Sequence, residues 1–263
     1  MHATFSPRAI LCTALLGVSG FTGLHAEEAA RNTHAMPTAP VMQTAEQEHW
    51  RLSAGPLWRS VRRMSLRRRF ETDIGFIERT WDTSPDGLGF FVMLESPALW
   101  RAKMSSLTFS LMYSWASPGS FSMADEVAGV AVSQGFGMDL HSLALGPRWV
   151  TESDRLRLSL SSGLSLNLAR WDAFSTQQNL FPLPGGPLLR QDTSGMELRP
   201  GIYVDMIMQL RLTQRWSLLA GARYDWAGHI EETHNWPFVP GQYAVFRNEL
   251  GGWSAFAGLT YRF

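Results

Sequence analysis

The last eleven residues, WSAFAGLTYRF from Trp253 to Phe263, decide the fold. Trp253, Ala255, Ala257, Leu259, Tyr261 and Phe263 fall on one face of an extended chain. Ser254, Phe256, Gly258, Thr260 and Arg262 fall on the other. Strict alternation of this kind is the period-2 signature of a strand with one apolar face. Both ends are aromatic and lie ten residues apart. At roughly 3.3 Å per residue and a tilt near 40°, ten residues climb about 25 Å, the height of the apolar band of a bilayer-spanning barrel.

The same ruler fits elsewhere. Trp216 and Trp226 are also ten residues apart, and Leu218, Ala220, Ala222 and Tyr224 lie between them on one face. Trp50 and Trp58, eight apart, span about 20 Å and bracket the first strand, with a bulge expected at Pro56. Between these lie Gly89–Glu95, apolar on both faces, then Leu107–Trp115, Met138–Val150, Leu156–Leu168 and Met196–Leu212. Short turns near Ser96, Thr151 and Thr213 alternate with long loops near Val61, Ser117, Trp171 and Gly228. The expected fold is all-β: a transmembrane antiparallel up-and-down β-barrel of about eight strands, or ten if the Arg-rich stretch after Val61 holds two more. The terminal strand should pair with Trp50–Trp58 and so remove both sheet edges.

A soluble barrel would turn its apolar face inward. Here the matched aromatic spans assign that face to lipid. The opposite face, with Arg199, Asp205, Arg211, Arg223 and Asp225, goes to the lumen. Pairing Leu212 with Trp216 places Asp205 opposite Arg223 and Tyr203 opposite Asp225, so a lumen ion pair Asp205–Arg223 is expected. The same exercise on the preceding hairpin sets Arg148 against Arg157 and asks for an acid, Glu197 or Asp205, from across the barrel.

Composition agrees with this reading. The 263 residues carry 23 basic and 23 acidic side chains, 11 Trp and a single Cys. Formal neutrality gives no global field for nucleic acid. Mean hydropathy is only −0.10, and no run is long enough for a spanning helix. Residues 1–26 read as an export signal: Arg8, an apolar stretch from Ala9 to Val18, and a cleavage site at Leu24-His25-Ala26, with cleavage after Gly20 as the alternative. The only cysteine, Cys12, lies inside it. Residues 27–47 read as a flexible leader, and 48–263 as the barrel.

The alternating C-terminal strand with its final Phe263 resembles that of bacterial outer-membrane β-barrels, in particular the small OmpA/OmpX-like class. The resemblance implies recognition of the last strand by the barrel-assembly machinery. It also implies contact with outer-membrane lipid and lipopolysaccharide, and a cell outer-membrane location reached through the periplasm. Trp50, Trp58, Trp149, Trp216, Trp226, Trp253 and Phe263 are the expected aromatic girdle. Arg62, Arg63, Arg67, Arg68 and Arg69 are candidate contacts for lipopolysaccharide phosphates, since guanidinium forks suit phosphate oxygens. No catalytic set, metal site or cofactor motif is assigned. Asp139 and His141 share a strand face, but Ser142 points away from them. His229, Glu231, Glu232 and His234 lack a recognised ligand spacing. The leading expectation is a non-enzymatic barrel that displays external loops in a structural or surface-interaction role. A narrow, porin-like transport route and a lipid A-modifying enzyme are the alternatives.

Overall fold

A computed structural model describes residues 49–72, 75–127, 130–179, 188–235 and 242–263. The expected export signal and leader lie outside these residues, as does the Pro- and Gly-rich stretch 181–187. The described strands are β1 (Arg51–Val61), β2 (Met64–Thr72), β3 (Gly75–Thr83), β4 (Asp86–Glu95), β5 (Trp100–Ala102), β6 (Ser105–Ala116) and β7 (Ser120–Val127). They continue with β8 (Val130–Glu152), β9 (Leu156–Asn179), β10 (Leu188–Arg211), β11 (Trp216–Ala227), β12 (His229–Asn235), β13 (Tyr243–Glu249) and β14 (Gly252–Arg262).

Eight of these close a ring, β1-β4-β6-β8-β9-β10-β11-β14, and β14 returns to β1 with Leu52 opposite Tyr261 and Ser60 opposite Trp253. Every pairing is antiparallel. The chain's last amide, Phe263 N–H, donates to the Trp50 carbonyl at 3.1 Å. Both ends of the ring's chain therefore meet at the rim that carries the short turns, called here the inner end.

Alternation sorts the walls. Leu164 is 71% exposed on the outside, while its neighbour Ser165 is buried in the lumen. The ambiguous β4 is settled by its neighbours: Leu88, Phe90 and Val92 face out, and Phe91, Met93 and Glu95 face in. A continuous apolar outer wall of this size is stable only against lipid. Among the described residues no helix is long and apolar enough to cross a membrane, as a strand-built span requires.

Several expected loops are strands. β9 and β10 have 24 residues each, or about 60 Å of height at barrel tilt. Their inner ends are fixed by tight turns, where Ser153 N–H bonds the Leu156 carbonyl and Leu212 N–H bonds the Trp216 carbonyl. The excess over the apolar band therefore projects from the outer end. There β7 pairs with the outer part of β8, and a second sheet of order β12-β13-β2-β3 stands apart from the ring. So the Arg-rich stretch does hold two strands, but they build this outer sheet and add no stave to the barrel. The outer sheet and the extended ring strands together form a head. Its interior holds an apolar core: Met64, Leu66 and Phe246 pack with Phe136, Met138 and Ala173.

Two register details differ from expectation. No bulge occurs at Pro56: β1 and β14 keep one register on both sides of it, and the ladder merely skips Gly55 and Pro56. A Cβ at Gly55 would lie 2.0 Å from the Ala257 carbonyl oxygen, so the strands approach there as only glycine permits. The β8–β9 turn is tighter than expected. Arg148 faces Ser161, and Arg157 faces Glu152, which removes the predicted clash of two arginines.

Candidate functional site

The lumen is the first place to look for chemistry, and it is filled. At its inner level Glu95, fully buried, receives both terminal nitrogens of Arg157, with Arg51 at 3.5 Å and Arg148 at 3.8 Å. Above it Arg148 donates to both Asp205 oxygens at 3.1 and 3.2 Å. An apolar cluster of Leu57, Phe91, Met93, Met112, Ile207 and Phe256 packs beside these ion pairs, with Phe91 and Phe256 rings 4.9 Å apart. Nearer the outer end Arg223 Nε donates to Asp225 at 2.9 Å, and Arg59 joins the same carboxylate at 3.3 Å. Arg223 also lies 4.4 Å over the Tyr203 ring. Eight strands give a bore that side chains can fill, and here buried ion pairs and an apolar cluster fill it side by side.

Asp205 does stand opposite Arg223, and Tyr203 opposite Asp225. The expected Asp205–Arg223 ion pair is nevertheless replaced. Asp205 reaches past β9 to Arg148, and Arg223 turns along its own strand to Asp225. The reason is charge count: Arg148 is fully buried and needs an acid, and Asp205 is the one that also leaves Asp225 free for two arginines. Glu197, the other acid considered for Arg148, instead bonds Arg199 two residues along its own strand.

The girdle residues sit at two levels on the outer wall. At the inner level Trp216 packs on Tyr261 at 4.9 Å, Trp149 on Trp100 at 5.6 Å, and Phe263 on Tyr261 at 6.3 Å, with Trp50 alongside. At the outer level Tyr224 touches both Trp226 and Trp253, at 4.5 and 4.8 Å. Trp58 Nε1 there donates to the Asp86 carboxylate at 3.1 Å. Phe90 and Trp115 continue the outer belt. Two aromatic belts, an apolar wall between them, a charged and closed lumen and short turns at one rim complete the picture.

This is the build of a bacterial outer-membrane β-barrel. No protein-family model matches the sequence, and no curated protein matches it. Among solved structures, the outer membrane protein OprG from Pseudomonas aeruginosa is similar over 82% of this chain and 96% of its own, at TM-score 0.48 and 9% identity. The attachment invasion locus protein Ail of Yersinia pestis is similar over 82% and 99%, at TM-score 0.37 and 12% identity. The outer membrane protease OmpT from Escherichia coli is similar over 82% and 97%, at TM-score 0.41 and 8% identity.

The outer arginine run does not form one patch. Alternation along β2 sends Arg67 to the outer face of the head and Arg68 to its interior. Arg63 makes a two-nitrogen fork to Asp82 and Arg67 another to Glu78, all at 2.8–3.0 Å. The Arg67 bonds hold the Glu78 carboxyl below its ordinary range. Arg62 lies 3.4 Å from Glu249, and Arg69 stacks over Phe76 at 4.2 Å. Arg68 is enclosed between Phe70 and Trp81 and bonds Asp125 at 3.0 Å. Asp125 also takes Arg79 at 2.6 Å and so ties β7 to the outer sheet.

The other residues weighed for chemistry separate. His141 faces outward and shares a 2.8 Å hydrogen bond with the Tyr113 hydroxyl, while Ser142 lies in the lumen and donates to Asn167 at 2.6 Å. His229 and Glu231 are exposed on one face of β12, and His234 is buried behind the other. Among the described residues no cluster of three metal-ligating side chains occurs. What sequence reasoning missed is the role of His234. Its ring bonds Ser175 at 2.9 Å and Thr193 at 2.6 Å, against Phe246. It joins three strands inside the head. The ring's nearest acid, Glu232, is 4.0 Å away, and burial holds its pKa below the ordinary histidine value although Asp192 opposes this. A neutral ring in a closed core is a structural crosslink. Only the apolar neighbours, Ile230 on the same strand and Phe246 on β13, hinted at it.

Proposed function

We propose that this protein is a non-enzymatic barrel of the cell outer membrane that displays a rigid β-structured head on the external side, in a surface-interaction role. The observation that carries the reading is the pairing of a closed lumen with a packed head. Glu95, Arg148 and Asp205 sit fully enclosed where a pore would need water, which speaks against general transport. The outer hairpins have an apolar core of their own, so they hold one shape, as a recognition surface needs. The outer face of the sheet β12-β13-β2-β3 is concave, with a hollow of about 590 Å³ lined by Arg67, Tyr243, Val245 and Arg247 among others. It is the surface best shaped to meet an envelope component or external partner. Lipopolysaccharide phosphates would reach Arg62, held by Glu249 through one nitrogen, and Arg69, since neither is buried like Arg68 nor forked to an acid like Arg63 and Arg67.

Orientation is testable because Cys12 is the only cysteine and lies in the expected export signal. Thr80→Cys, on the outer sheet, should react with a membrane-impermeant maleimide on intact cells. Ser153→Cys, in an inner turn, should react only after permeabilisation. The opposite pattern would remove the display reading.

A further inference from the structure

The inner mouth of the barrel gathers six arginines, Arg51, Arg155, Arg157, Arg211, Arg215 and Arg262, around an opening whose lining holds one carboxylate, Glu152. They come from β1, the β8–β9 turn, β9, β10, the β10–β11 turn and β14, largely separated in sequence. Register makes them neighbours: Arg51 lies opposite Arg262, Arg157 opposite Gln209, and the Arg262 amide bonds the Arg215 carbonyl at 2.9 Å. The Arg211 amide likewise bonds the Arg155 carbonyl at 2.8 Å.

The acids within reach do not balance this set. Glu95, deeper in the lumen, is committed to Arg157 and Arg51. Glu152 is shared by Arg51, Arg157 and Arg211. Among the described residues no acid pairs with Arg155, Arg215 or Arg262; Arg215 reaches only the Tyr261 hydroxyl, at 3.4 Å. Like charges held this close repel, and the low-dielectric wall beside them focuses their field toward the mouth.

We infer that the inner mouth binds a soluble anion bearing two or more phosphate groups. Guanidinium forks match phosphate oxygens in pairs, and several forks facing one opening suit a multivalent anion. The enclosed space is about 20 Å³, room for about one water, so the anion lies across the mouth and does not enter the lumen. The arginines line the bore and its rim turns, not the lipid wall, which favours a solute over a lipid headgroup. The binding test below does not depend on cellular orientation, so it can fail while the display reading stands.

The test titrates inorganic tripolyphosphate by calorimetry into the full-length chain in phosphatidylcholine nanodiscs at low salt. Saturable binding is expected. The triple variant Arg155→Gln/Arg215→Gln/Arg262→Gln breaks no ion pair and should weaken it about tenfold or more, a loss of about 1.4 kcal/mol or more. Glu152→Gln removes the competing carboxylate and should tighten it. Arg63→Gln/Arg67→Gln, at the other end, should leave it unchanged. Retained heat-modifiable migration on gels shows that each variant is folded. Absence of binding by the wild-type chain, or equal loss in the inner and outer variants, overturns the site. Loss of binding when the discs contain phosphatidylglycerol overturns the assignment to a solute and gives the mouth to lipid headgroups.

Discussion

The two arginine groups of this molecule differ in the way opposite to their appearance in sequence. The outer group is conspicuous, with Arg62, Arg63, Arg67, Arg68 and Arg69 inside eight residues. In the fold it is largely neutralised, because β3 and β13 bring Glu78, Asp82 and Glu249 alongside. The inner group is scattered from Arg51 to Arg262 and has no motif, yet the ring assembles it with too few acids. A charge run on a strand meets whatever its neighbours carry, and alternation splits it between two faces. Charges at matched heights on adjacent staves add. In a barrel, height and register therefore say more about field than adjacency does.

Removing acids from the two ends should separate them sharply. Glu95→Ala strips the inner level of its buried carboxylate and leaves Arg157 and Arg51 facing each other beside Arg148. The expected loss is about 3–5 kcal/mol in urea unfolding, the cost of orphaning a buried charge. An effect under about 1 kcal/mol would mean that water reaches this level. Arg68→Ala tests the one enclosed member of the outer run. It removes a cation held between two rings and bonded to Asp125, and should cost about 2 kcal/mol, with the head loosening before the ring. Hydrogen exchange should then rise in β2, β3 and β7 and not in β11 or β14. Asp82→Ala breaks an exposed fork and should cost less than about 1 kcal/mol, shrinking further with salt. A larger loss would place that pair in the head's framework.

The smallest effect concerns pH. His234 has a folded-state pKa below its unfolded value, so the unfolded head binds the extra proton more readily. The head should be at full stability above the ordinary histidine range and lose stability as pH falls through about 6.5 and below. Fluorescence of Trp81 and Trp171 can follow this, since both pack on the head core. His234→Gln should flatten the response, and an unchanged response in that variant would assign it to other groups.

Much of the barrel was legible in the sequence. The face assignment of β14, its pairing with β1 and the β10–β11 register follow from alternation and aromatic ends, because one wall meets lipid and tolerates only apolar side chains. The head was not legible for the same reason. Outside the bilayer neither face is constrained that strictly, and segments such as Ser120–Val127 or Trp171–Asn179 mix polar and apolar residues on both sides. The β8–β9 turn was misplaced because Thr151–Asp154 reads as one polar unit, whereas Glu152 still pairs across to Arg157. Ion-pair partners were the least legible feature. Asp205 chooses Arg148, on the far side of β9, over its cross-strand neighbour Arg223, and that choice needs the registers of two hairpins at once.

The central claim is that this barrel is closed at membrane level and acts through what it presents at its ends. Single-channel recording on the full-length chain in planar bilayers tests it most directly. No discrete conductance steps at either polarity are predicted for the wild-type chain. Steady, reproducible steps would contradict the account and make the filled lumen a gate instead of a plug.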